Sequence, residues 1–127
     1  MKVILDSHTL VWWFSDLAKL SKRATSIVSN TANTALVSAA TAWELAINVN
    51  LGKLNALALV TDLSRHLDKE GFMELPISIS QASGAGLLPL HHRDPFDRLL
   101  VAQAQDLGIA ILSADASLDQ YDVKRVW

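Results

Sequence analysis

The sequence predicts an α/β fold with a mainly parallel central sheet flanked by helices, and three observations carry that reading. Val3-Ile4-Leu5, Ala35-Leu36-Val37 and Ile109-Ala110-Ile111-Leu112 are short unbroken apolar runs, the pattern of strands buried on both faces. Segments of helical periodicity lie between them, as crossovers between parallel strands require. Asp6 follows the first run directly and Asp115 stands three residues beyond the last, where the carboxyl ends of parallel strands open into a ligand crevice.

In chain order, Val3 to Leu5 is the first strand and stops at Asp6. Ser7 to Phe14 carries Leu10, Val11, Trp12, Trp13 and Phe14, too apolar all round for a helix with one wet face. Its aromatics are expected in the core rather than on a partner surface. Base stacking is a weaker reading, since no basic residues are interleaved with them. Ser21 caps a helix through Val28, and Ala35 to Val37 forms a second strand. A helix then runs from Ser38 to Leu51, with Gly52 placed to stop it.

Leu57 to Lys69 has one amphipathic helical pattern, with Arg65, Asp68, Lys69 and Glu70 on its solvated side. Met73-Glu74-Leu75 is an edge strand ended by Pro76. Ile79 to Leu88 is a helix loosened by Gly84 and Gly86. The next helix opens on Asp94 as N-cap, with Pro95 at the first helical position and Asp97 at the third, and closes at Gly108. After the strand at Ile109 come a short helix, Ala116 to Gln120, and a last strand, Val123 to Trp127.

Composition narrows the function. The 127 residues are read as one domain, 1–127, with enough chain to bury a single core. Half of them are apolar, 19% are charged and the formal net charge is -2, which excludes a disordered tail and a polybasic nucleic-acid glue. Any contact with RNA or DNA must then use local basic residues or a metal. With no cysteine there is no disulfide frame, no thiolate zinc and no Cys nucleophile. The first apolar run breaks at Asp6, far short of a secretory or membrane-spanning segment, so the expected location is the cytoplasm and no membrane contact is expected.

Each acid of interest has an ordinary explanation when taken alone. Asp97 lies in the first turn of a helix, where acids offset the dipole, and Thr41-Ala42-Trp43-Glu44 matches a capping box. A parallel sheet nevertheless brings Asp6, Glu44, Asp97 and Asp115 to one rim. Four carboxylates in one crevice repel one another unless a cation compensates. A hard divalent ion, Mg²⁺ or Mn²⁺, held through two or three carboxylates and several waters meets that need. Such an ion polarises a phosphoryl oxygen and acidifies a water for in-line attack on a phosphodiester.

Asp6-Ser7-His8, Trp43-Glu44-Leu45-Ala46-Ile47 with Leu51-Gly52-Lys53-Leu54, His92-Arg93-Asp94-Pro95-Phe96-Asp97-Arg98-Leu99-Leu100-Val101-Ala102-Gln103-Ala104 and Ser113-Ala114-Asp115 together resemble a PIN domain of the VapC toxin type. The resemblance spans essentially the whole chain and keeps the order of all four acids. It implies a PIN-like three-layer sandwich and a Mg²⁺-dependent endoribonuclease, with Mn²⁺ as a substitute ion. It also implies the toxin of a type II toxin–antitoxin pair, a homodimer silenced by a cognate antitoxin, with higher toxin–antitoxin assembly open to it. By the same resemblance Asp6 and Asp97 are the principal metal ligands and Asp115 supports the ion. Glu44 then holds a metal-bound water or a second ion.

Arg93, Arg98 and Lys53 are the candidate phosphate contacts, set against ordinary surface charge, and Ser113 positions a ligand or caps a turn. Asn48 stands where many relatives carry a basic residue. His8, His91 and His92 show no zinc-site spacing and read first as loop polar residues. Two other classes compete. An aspartate phosphatase wants an acid two residues after Asp6, where His8 stands, and a receiver domain wants adjacent acids, where Leu5 stands. The non-enzymatic alternative is a catalytically silent module whose acidic pocket captures a basic partner segment.

Overall fold

The computed structural model describes all residues, 1–127. Its strands are β1 (Lys2–Leu5), β2 (Thr34–Ser38), β3 (Met73–Leu75), β4 (Ala110–Leu112) and β5 (Arg125–Val126). They form one sheet in the order β3-β2-β1-β4-β5, and every neighbouring pair is parallel. Val3 pairs with Ala35 on one side and Ala110 on the other. The chain therefore winds outward from β1 in one direction and then crosses to the other edge, so the order reverses at β1 and β4. In sheets of this kind a ligand crevice opens beyond the carboxyl ends of the strands at that reversal.

The helices are α1 (Ser7–Ser15), α2 (Lys22–Ser29), α3 (Ala39–Asn50), α4 (Leu57–Thr61), α5 (Leu63–Glu70), α6 (Ile79–Leu87) and α7 (Pro95–Leu107). They cover both faces of the sheet because strand side chains alternate. Val3 and Leu5 point into one cluster with Leu10, Ala24, Val37, Leu63, Leu67 and Leu112. Ile4 points to the other, with Leu36, Leu100, Val101, Ala104, Ile111, Leu118 and Tyr121. Two cores on one sheet make three layers. Each aliphatic side chain so buried contributes roughly 1.5–3 kcal/mol relative to exposure.

The aromatics of α1 pack against the first core. Trp13 and Phe14 meet Phe72, and Trp12 meets Trp127. Two local expectations change. The Leu57–Lys69 stretch is two helices, because the backbone at Asp62 leaves helical geometry (φ -131°, ψ 38°) between α4 and α5. The strand expected over Val123 to Trp127 is only two residues long. Gly71 and Gly108 end α5 and α7 in the left-handed conformation, with φ of 73° and 65°. No helix is long and apolar enough to cross a membrane.

Candidate active site

Asp6 begins where β1 ends. Its backbone leaves the sheet and its side chain caps α1, Oδ1 accepting the Thr9 amide at 2.8 Å. Across the reversal point, the Ser113 hydroxyl at the end of β4 donates to Asp6 Oδ2. Ser113 Oγ also accepts the Asp115 amide at 3.0 Å, and Asp115 Oδ1 in turn caps the 3-10 turn Ala116–Gln120 through the Ser117 amide at 3.0 Å. One buried serine thus holds two of the four acids in register.

Asp97 is the third helical residue of α7, as its spacing after Asp94 and Pro95 predicts. Capping there belongs to Asp94, whose Oδ1 accepts the Phe96 and Asp97 amides at 2.8 and 3.3 Å. The Asp97 carboxylate faces the pocket instead. Glu44 is the sixth residue of α3, which starts at Ala39 under Ser38 as N-cap. The capping-box reading of Thr41-Ala42-Trp43-Glu44 is therefore corrected: Glu44 lies too far along the helix to reach its first amides. A capping box does occur elsewhere, at Ser78 and Gln81.

All four acids line one cavity of about 300 Å³, together with Ser7, His8, Trp12, Asp94 and Ala114. Another cleft of about 460 Å³ lies beside α3, α5 and β3, but Val37, Ala42, Leu63 and Leu67 line it and Glu74 is its one titratable group. Chemistry favours the acidic cavity. Burial, reinforced by the nearby charge of Asp94, pushes Asp97 up to about 7. Burial also raises Glu44, against the opposing Ser7 hydroxyl. Asp115 behaves differently. Its partial burial is outweighed by hydrogen bonds from Ser117 and His92, so it stays below the usual carboxylate range.

His92 belongs to the site, which its spacing did not signal. Its Nε2 lies 3.2 Å from Asp97 Oδ2 and 3.6 Å from Asp115 Oδ2. His92, Asp97 and Asp115 each present a ligand atom within 4.8 Å of the others, a cluster able to coordinate a divalent cation. The remaining signal was only its place two residues before the cap of α7. Asp94 was likewise read as a cap alone, yet it shares the cavity wall.

The basic residues separate. Arg98, expected at phosphate, is buried at 7% exposure. Its guanidinium donates to the carbonyls of Ala85, Gly86, Leu88, Pro89 and His92, at 2.8 to 3.3 Å. That expectation is corrected: Arg98 ties the loop before α7 to the end of α6 and has no face left for substrate. Arg93 is exposed, and Lys53 with Asn48 borders a groove beside Glu44. Arg125 pairs with Asp119 at 2.8 Å and reaches the Ser113 carbonyl at 3.0 Å. His91 is exposed and its ring meets the edge of Tyr121.

The donor set fits a hard divalent ion. Oxygens dominate it, two acids are raised by burial and by neighbouring carboxylates, and the cavity of about 300 Å³ has room for an ion with several waters. The PIN domain family model matches residues 3–124. No curated protein sequence matches the chain significantly. Among solved structures the chain is similar to VapBC2 from Rickettsia felis bound to a promoter DNA fragment, with TM-score 0.71, 13% identity, and coverage of 99% of this chain and 98% of that one. FitAcB from Neisseria gonorrhoeae gives TM-score 0.65 and 16% identity over 100% of this chain and 97% of that one. A toxin–antitoxin complex from Klebsiella pneumoniae gives 0.64 and 15% over 98% and 96%.

Proposed function

The chain belongs to the PIN domain family, and we propose that it is a metal-dependent endoribonuclease, the toxin of a type II toxin–antitoxin pair, working in the cytoplasm as one domain over residues 1–127. The observation that carries this reading is the meeting of Asp6, Glu44, Asp97 and Asp115 around one cavity, with Asp97 and Glu44 both raised. A Mg²⁺ or Mn²⁺ ion held there supplies Lewis-acid stabilisation of a phosphoryl oxygen and an acidified water.

The chain's own groups supply the rest. Asp6, Asp97 and Asp115 hold the ion, and Ser113 keeps Asp6 and Asp115 at fixed separation. Glu44 orients the attacking water and takes its proton, a role suited to a carboxylate raised by burial. Arg93 and Lys53 on the exposed rim contact backbone phosphates. Without the cation the same acids repel the RNA. A basic side chain from a cognate antitoxin would satisfy the cavity in its place, and the similarity to the Klebsiella pneumoniae toxin–antitoxin complex supports a partner of that kind. Self-association as a homodimer belongs to the same proposal.

Induced expression followed by mapping of RNA ends tests it, with Asp97→Asn as control. Growth arrest and new ends in wild type alone are expected. Identical RNA from both proteins, with a purified chain that still captures a basic peptide, would instead establish the silent binding module.

A further inference from the structure

We infer that the groove between α1 and α3, next to the acidic cavity, is a subsite for one unpaired nucleotide of the RNA beside the bond that is cut. The inference deepens the proposed function and rests on it. The groove has a volume of about 260 Å³, and Ser7, His8 and Glu44 are common to it and to the cavity. A strand leaving one therefore enters the other. Val11, Leu45 and Leu54 line the groove, and all three belong to or pack against the first core, so its apolar lining is anchored. Its far wall is built by the turn after α3. Gly52, left-handed at φ 73°, turns the chain back on the helix, and the Asn48 carbonyl accepts hydrogen bonds from the amides of Lys53 and Leu54 at 2.9 and 3.2 Å. Lys53 and Leu54 are thereby held beside Asn48.

The two spaces differ in charge. Asp6, Glu44, Asp94, Asp97 and Asp115 all line the cavity, whereas the groove has Glu44 alone, on the shared wall, and gains Lys53. Lys53 is exposed and outside every ion pair of the protein, so its ammonium is available to a phosphate. Asn48 is half-buried, and its carboxamide offers both a donor and an acceptor. Apolar side chains that take the face of a base, an amide that reads its edge and a cation for its phosphate are the parts that recognition of an unpaired nucleotide needs. A groove of this size admits no duplex. A basic partner segment, which the cavity attracts, meets like charge at Lys53.

The test gives wild type, Asn48→Ala and Lys53→Ala, each with Mn²⁺, one pool of RNA hairpins with randomised loops, and sequences the cut ends. Wild type should favour one base at a position adjoining the cut, and Asn48→Ala should reduce that preference at least about fivefold. Lys53→Ala should keep the preference while raising KM and lowering the salt slope of binding by about one, whatever the sequence. A merely structural role for Asn48 would leave the base preference where it was. No base preference beside the cut in wild type, the same preference in Asn48→Ala, or an unchanged KM in Lys53→Ala would each overturn the subsite while leaving the nuclease reading standing. Absence of cutting by folded wild type would remove the nuclease reading, and the subsite with it.

Discussion

Ser113 and Asp6, 107 positions apart in sequence, meet in a hydrogen bond across the gap between the carboxyl ends of β4 and β1. Ser113 is fully buried and Asp6 nearly so. Ser113→Ala removes a donor to Asp6 and the acceptor of the Asp115 amide. Leaving those groups unsatisfied should cost about 1–3 kcal/mol of stability, measurable as a lower denaturant midpoint with unchanged slope. Divalent-ion affinity should fall with it, because Asp6 and Asp115 lose their common tether.

Arg98 and Arg93 should part company on mutation. Arg98→Ala removes a buried side chain that donates to five backbone carbonyls and should destabilise the fold by about 3 kcal/mol. Arg93→Ala is expected to stay within about 0.5 kcal/mol of wild type. It should instead weaken RNA binding and lower the salt slope by about one. Denaturant melts and binding measured at several salt concentrations distinguish the two.

Acidity in the pocket gives a pH signature with a definite sign. Asp97 titrates at about 7 in the fold against 3.8 as its ordinary value. Between those values the native state binds more protons than the unfolded chain, so the contribution of Asp97 to stability falls as pH rises from about 4 to about 7. Asp115 acts oppositely. Its lowered value adds stability above its ordinary 3.8 that is lost as pH drops through its still lower folded value. In metal-free protein Asp97→Asn should therefore melt higher than wild type at pH 8 and lose that advantage near pH 4. Added Mn²⁺ should reverse the order at pH 8, since only wild type keeps the full ligand set.

The strands, the α7 cap and the gathering of the acids were legible from local pattern, because buried parallel strands read as continuous apolar runs and Asp94-Pro95 is an unambiguous helix start. What failed was whatever depended on where a helix begins or on which side a polar residue turns. Thr41-Ala42-Trp43-Glu44 reads as a capping box until Ser38 is seen to cap α3 three residues earlier. Arg98 carries a charge that reads as surface, yet the last turn of α6 and the loop after it, as far as His92, present carbonyls that need a donor. His92 has no ligand spacing to betray it. Its place beside Asp97 and Asp115 is held by Arg98 and by Tyr121, the latter 29 positions away and invisible to local spacing.

The central claim is that side chains from four separate segments share one divalent cation. Calorimetric titration of the purified protein with Mn²⁺ tests it most directly, comparing wild type with Asp6→Asn, Asp97→Asn and the double variant at matched folding. Saturable binding in wild type, weakened at least about tenfold in each single variant and lost in the double variant, is the predicted result. Equal affinity in all four proteins would contradict it.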